Sequence, residues 1–256
     1  MTAMLRAAWP PVASIIALFA LWEGLARWLH VPEYILPAPS AIWTAVAATG
    51  PAVWRHTQAT LFTVLLGFAA SVVISLPIAV LIASSRAVAA AIYPVLVITQ
   101  SVPKVALAPI LIIALGATAV PRVIVTVLVA FFPLVVSSVA GLLATPPELL
   151  ELARSCRATR WQELFRIRLP FAIPFVFAGL KVAIALCVVG AVVAEFVGAD
   201  EGLGYLIQTS MAFFRVPLAF GAVVILAGMG MVLFGIVAAA ERLLFPWAGP
   251  RSDLIP

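Results

Sequence analysis

Charge is what this chain lacks most. Only 10% of its 256 residues are charged, and 65% are hydrophobic, against about 25% and 45–50% in soluble domains. That excludes a water-soluble globular fold, which would have too little polar surface to cover so much apolar side chain. Histidine and cysteine are nearly absent. His30 and His56 fall outside the long hydrophobic runs, and no metal-ligand pair at helical spacing, Ser–His pair or pair of Asp residues stands inside them, which argues against an intramembrane enzyme. Cys156 in a polar connector and Cys187 inside a run make neither a disulfide framework nor a metal site. Lysine occurs only at 104 and 181, and neither follows a glycine-rich stretch leading into Gly-Lys-Ser/Thr, so the chain carries no phosphate-binding loop.

What the chain has instead is a series of long apolar runs. A crossing of the bilayer takes about 20 mostly apolar residues, and such runs cover about Pro11–Leu29, Thr57–Ala83, Val88–Leu115, Arg122–Leu143, Phe171–Val197 and Pro217–Ala240. The third holds Pro94, Pro103 and Pro109, which remove backbone donors, so it reads as one broken span. The fold class is therefore all-α, a polytopic membrane protein of about six transmembrane helices. Glu23 and Arg27, without a small-residue cleavage site after them, favour a retained first span over a cleaved signal peptide.

The formal charge of +5 does not form a nucleic-acid-binding face, because the basic residues gather between the runs. Arg154, Arg157, Arg160, Arg166 and Arg168 share one connector, and Arg6, Arg86, Arg242 and Arg251 fall on the same side in a six-span topology. The positive-inside rule makes that side cytoplasmic and places both termini there. The other side holds Arg27, Arg55, Arg122 and Arg215, offset by Glu33, Asp200 and Glu201. Between the first two spans, Leu36-Pro37-Ala38-Pro39-Ser40 predicts an extended segment and a short helix over Ala41–Ala48 capped by Ser40, lying at the outer interface with Trp43 and Trp54 nearby. Three regions follow: 1–56 with the first span and interfacial helix, a core over 57–245, and a cytoplasmic tail over 246–256.

The connector over 145–170 predicts two short helices. Thr145 and Glu148 have the spacing of a capping box, as do Thr159 and Gln162. Leu149, Leu152, Ala153 and Cys156 recur at helical spacing in the first helix, and Trp161, Leu164 and Phe165 share a face of the second, which Leu169-Pro170 is expected to stop. From physics alone such a pair lies on lipid headgroups as readily as on a partner protein.

The order Glu151-Leu152-Ala153, then Arg157, then Ile167-Arg168-Leu169-Pro170 resembles the signature loop of binding-protein-dependent ABC permeases: Glu-Ala-Ala, three residues, Gly, nine residues, Ile-x-Leu-Pro. Leu152 stands where Ala is usual, and Arg157 where Gly is usual. A non-glycine residue in a left-handed turn costs roughly 1–2 kcal/mol, so either Arg157 bears that cost or the turn differs. Leu36 to Ser40, Gln100-Ser101-Val102-Pro103-Lys104 through Pro109, Ala194-Glu195 and Glu201-Gly202-Leu203-Gly204-Tyr205 resemble further blocks of permeases for nitrate, sulfonates, taurine and pyrimidine precursors. Gln100 to Lys104 and Glu241 to Trp247 look most like those for pyrimidine or riboflavin-type heterocycles.

The resemblance implies a type I ABC importer permease fold in a bacterial inner membrane. It implies a second permease copy as homodimer partner, two separate ATP-binding subunits that hold ATP and Mg, and an extracytoplasmic substrate-binding protein; this chain holds no cofactor. It further implies that Glu151, Ala153, Arg157, Trp161, Ile167, Leu169 and Pro170 form the coupling loop to the ATPase. A gradient-driven transporter or channel is the alternative, but paired acids deep in the spans are missing.

Ionisable groups inside hydrocarbon need a reason to be there. Lys104, with Gln100 and Ser101 at the Pro103 break, is a candidate pathway lining or a snorkelling lysine at an interface. Lys181 snorkels or faces the pathway. Glu195, fourteen positions further along the same span, faces a subunit interface, shapes the external mouth or caps the turn at Gly198. Gly190, Gly228 and Gly230 are expected to permit close helix packing.

Overall fold

Inside a bilayer no water is available to backbone amides, so a chain this apolar satisfies them internally as helices. The computed structural model describes residues 2–247, with side chains from residue 13 onward except those of Ile15 and Arg86. Arg251 and most of the expected tail lie outside the described residues, as do the side chains of Arg6 and Arg86. The helices are α1 Thr2–Trp28, α2 Pro39–Ala48, α3 Gly50–Ser84, α4 Arg86–Ser101, α5 Lys104–Leu115, α6 Ala119–Leu143, α7 Pro147–Ser155, α8 Arg160–Glu163, α9 Leu169–Gly198, α10 Leu203–Ala212 and α11 Val216–Leu244, with a π turn over Leu164–Arg168 between α8 and α9.

Among the described residues, four helices are long and apolar enough to span (α3, α6, the continuous helix of α8 and α9, and α11), and the α4–α5 pair makes a fifth, bent by 87°. The 27-residue α1 covers the first expected span. Pro103 alone breaks the third: Pro94 and Pro109 sit inside α4 and α5. Val102 and Pro103 are both extended, a conformation that a following proline favours for Val102.

The core is the contact of α3, α6 and α9, filled by Val64, Ala130, Leu134, Ala183, Ile184 and Cys187. Without a hydrophobic force between helices in lipid, such a contact depends on small residues that let backbones approach. Thr126 of α6 is where the three meet. A Cβ on Gly67 of α3 would stand 2.8 Å from the Thr126 Cβ, and one on Gly190 of α9 would stand 3.0 Å from the Thr126 Cα. Gly228 and Gly230 of α11 do not serve this purpose, because nothing lies within 4 Å of a Cβ built on either.

The interfacial helix begins two residues before its expected start, and Ser40 is not its cap. Ala38 holds that position without a side-chain bond. Glu23 of α1 instead accepts from the Ser40 amide at 3.0 Å and from its hydroxyl at 2.8 Å, while Arg27 pairs with Glu23 at 2.6 Å and donates to the Ser40 Oγ at 3.1 Å. A carboxylate is the stronger acceptor at a helix N-terminus, and α1 brings one within reach.

Gly190→Val therefore forces α6 and α9 apart and is expected to cost about 1–3 kcal/mol, the usual penalty of overpacking, whereas Gly228→Val leaves stability unchanged. Thermal unfolding of the two variants in the same detergent checks this contrast.

Candidate functional site

The connector between α6 and α9 stands at one end of the bundle. Its first helix starts differently from expectation: Pro146 is the N-cap with no side-chain bond, and the Thr145 hydroxyl is buried without a partner, so the Thr145–Glu148 box does not form. Pro147 keeps the preceding Pro146 extended, so the helix starts at Pro147 and Thr145 stands one residue outside the cap position. The second box forms as expected, with the Thr159 amide donating to the Gln162 side chain at 2.8 Å and the Gln162 amide donating to the Thr159 hydroxyl at 3.3 Å.

Between the helices Arg157 adopts φ 58°. Its amide donates to the Arg154 carbonyl at 2.9 Å and the Ala158 amide donates to the Ala153 carbonyl at 2.9 Å. That bond pattern ends a helix on a left-handed residue, so Arg157 bears the steric cost that glycine would avoid. Glu163 ties the two helices together, at 3.6 Å from Arg154 and 2.6 Å from Arg168.

Leu169-Pro170 does not stop the second helix. Residues 160–198 run as one helix of 39 residues. The π turn over Leu164–Arg168 widens the ladder just before Pro170, where an α-helical carbonyl would otherwise meet the proline ring. Of the expected loop residues, Glu151, Arg157 and Trp161 are exposed, Ile167, Leu169 and Pro170 are half-buried, and Ala153 is buried. Trp161 is 70% exposed and stacks on Phe165 with ring centroids 5.6 Å apart. An aromatic pair thus projects from a rigid stalk.

At the α4–α5 bend Gln100 and Lys104 are half-buried and Ser101 is exposed. The Lys104 Nζ donates to the Gln100 side-chain oxygen. Ile98, Val105, Ile110 and Ile113 beside them are left uncovered by the rest of the chain.

Glu195 is not grouped with these residues. It is 0% exposed and accepts from the Thr60 hydroxyl at 2.8 Å and from the Gly204 amide at 2.7 Å. The Leu203 amide donates to the Thr60 Oγ1 at 2.7 Å, and the Gly202 amide to the His56 Nδ1 at 3.1 Å. Three successive amides at the start of α10 are thus taken by side chains of α3 and α9. Gly202, at φ 116°, has the Glu195 carboxylate where a Cβ would stand. Glu195 therefore caps α10 and not the turn at Gly198, and it reaches neither a mouth nor an open surface of the chain. Arg122 completes this end, donating to the Glu201 carbonyl at 3.2 Å with its carboxylate at 3.7 Å.

Residues 75–248, which include the loop, the bend and Glu195 with the α10 amides but not His56 or Thr60, match the family described as the binding-protein-dependent transport system inner membrane component. The chain belongs to that family. It is thus a permease subunit of the ABC importer type and a multi-pass inner membrane protein. Three relatives are each 34% identical to it. They are a probable ABC transporter permease protein of Haemophilus influenzae, matched over 88% of this chain and 91% of the relative, the formylaminopyrimidine transport permease protein ThiX of Halalkalibacterium halodurans, over 93% and 95%, and the riboflavin transport system permease protein RibX of Chloroflexus aurantiacus, over 94% and 92%. A chain of the MetNI methionine ABC transporter, in its inward-facing conformations, superposes with a TM-score of 0.59 at 20% identity, covering 79% of this chain and 96% of that one. The fold is therefore that of a type I ABC importer permease.

Several groups that matter in the permease were not legible as sites. Lys181 neither snorkels nor stands alone: it pairs with Glu241 of α11, sixty positions away. His56, just before the second hydrophobic run, lies near the start of α3 and is buried. Only its chain distance from Gly202 hid the bond, since a neutral ring nitrogen is an ordinary acceptor for a loop amide.

Arg157→Gly is expected to stabilise the loop of the permease by about 1 kcal/mol, because glycine adopts the left-handed conformation without the Cβ clash. Hydrogen exchange at the Arg157 and Ala158 amides should slow by roughly fivefold; exchange that is unchanged or faster contradicts the turn.

Proposed function

We propose that the permease works as one of two identical copies, with both termini cytoplasmic, and is driven through the 145–170 loop by two separate ATP-binding subunits that hold ATP and Mg. The observation that carries this reading is the exposed Trp161–Phe165 stack on a stalk continuous with a spanning helix. Exposed aromatics at the tip of a rigid element fit an interface hot spot better than an arrangement for lying flat on headgroups. Glu151 and Arg157, exposed beside them, supply the polar rim. Ala153, Ile167, Leu169 and Pro170 act from inside, holding the loop to the bundle.

The second copy covers the uncovered apolar face of α4 and α5, and the pathway runs along that seam past Gln100, Ser101 and Lys104. Broken helices are tolerated at membrane depth where they line a cavity. Glu195 takes no direct part and holds α10 in place at the outer end. An extracytoplasmic binding protein delivers the solute there.

The solute is a pyrimidine- or riboflavin-type heterocycle, after the names that ThiX and RibX carry. A sulfonate- or nitrate-type anion is the second reading, and Lys104 is the observation that favours it, since its partner at the bend is a neutral amide.

A pull-down from native membranes in mild detergent tests the assembly. A stoichiometric ATPase subunit with a phosphate-binding loop is expected, and Trp161→Ala is expected to weaken its retention roughly thirtyfold, the scale of a truncated hot-spot aromatic. Equal retention by Trp161→Ala and Glu151→Ala overturns the docking assignment. The same preparation with Lys104→Ala should keep its ATPase and alter uptake.

A further inference from the structure

A cavity of about 380 Å³ opens at the end of the bundle that carries α7 and α8. Leu76 and Ala79 of α3, Ser138 of α6 and Val176 of α9 line it, with Phe165 of the π turn and Phe245 just beyond α11. It is separate from the α4–α5 seam and shares Phe165, Leu169 and Pro170 with the loop, but the transport reading gives the cavity itself no role.

Its chemistry is one-sided. Ser138 is its polar feature, 1% exposed with a hydroxyl that has no partner. Apolar cavities of this kind stay dry or take apolar guests, and the volume is that of a small-molecule site. The surrounding helices span the membrane, so the molecules with access from the side are lipid chains. Phe245 packs on Phe177 at 5.6 Å between ring centroids and on Trp247 at 5.3 Å, which fixes one wall.

Two exposed arginines stand beside wall residues in the chain: Arg166 follows Phe165 directly, and Arg242 lies three positions before Phe245. The nearby acids are already engaged, Glu163 by Arg154 and Arg168 and Glu241 by Lys181. Cations beside an intramembrane pocket recognise anionic headgroups.

The geometry points to a lipid site: one acyl chain of an anionic phospholipid occupies this cavity, and its headgroup is held by Arg166 and Arg242. Because Phe165, Leu169 and Pro170 form part of the wall, the bound chain braces the junction of loop and span.

The test uses the full chain, purified with its copurifying subunits in mild detergent and reconstituted in nanodiscs. The probes are phosphatidylglycerol and phosphatidylcholine carrying the same photoactivatable acyl chain, and labelled residues are mapped by mass spectrometry. Labelling at Val176, Leu76 or Phe245, stronger with phosphatidylglycerol, is expected. The Arg166→Gln/Arg242→Gln double variant changes exposed side chains only and should weaken the headgroup preference by roughly tenfold. Ala79→Phe fills the cavity and should abolish cavity labelling while the lipid-facing surface still labels. Labelling confined to outer faces, or a headgroup preference unchanged in the double variant, overturns the site.

Discussion

Under the proposed coupling, force applied to the 145–170 loop reaches the membrane bundle only through a stiff connection, and much of this structure depends on one. Residues 160–198 form a single helix, so Trp161 at its tip and Cys187 in the buried core belong to the same rod. A proline ordinarily ends a helix by removing a donor and crowding the preceding turn. Here the π turn over Leu164–Arg168 absorbs Pro170 without loss of continuity. Glu163 then fixes the rod to α7 through Arg154 and to its own next turn through Arg168. The rod bears on α6 and α3 where Gly190 and Gly67 close on Thr126, so a tilt of the stalk is felt at the centre of the bundle.

The polar residues inside the spans mostly hold that rod in place. At the end away from the loop Glu195 joins α9 to α10 and, through Thr60, to α3. Nearer the loop, Lys181 joins it to α11 through Glu241. Charges removed from water are costly unless paired or hydrogen-bonded, and each of these has found such partners within the chain. Lys104 differs, with a neutral amide as its partner beside an uncovered apolar face. That difference marks the α4–α5 bend, and not Glu195, as the place for the proposed pathway.

Local chemistry was legible in the sequence and long-range chemistry was not. The helical character of the runs, the break at Pro103 and the Thr159–Gln162 box each depend on neighbours within a few residues and stand as the sequence implies, while four long apolar helices and the bent α4–α5 pair account for five of the six expected spans among the described residues. The spacing also posed the right question at Arg157, which the structure answers with a left-handed residue. The Thr145–Glu148 box failed because Pro147 keeps Pro146 extended, which leaves Thr145 one residue outside the cap position. Ser40 failed as a cap because Glu23, seventeen positions earlier, accepts from its amide. The partners of Lys181 and Glu195 come from other helices, and no periodicity along one helix predicts which residue of another it will meet. Gly228 and Gly230 show the same limit in reverse: small residues permit close packing but do not cause it.

The central claim is that the unbroken helix from Trp161 into α9 carries the coupling. The direct measurement is transport per ATP hydrolysed in proteoliposomes containing the assembled transporter, compared with a variant that has two glycines inserted between Ile167 and Arg168. The account predicts that the ATPase still copurifies in full stoichiometry and hydrolyses ATP, while transport per ATP collapses. An insertion variant that transports with unchanged stoichiometry contradicts it.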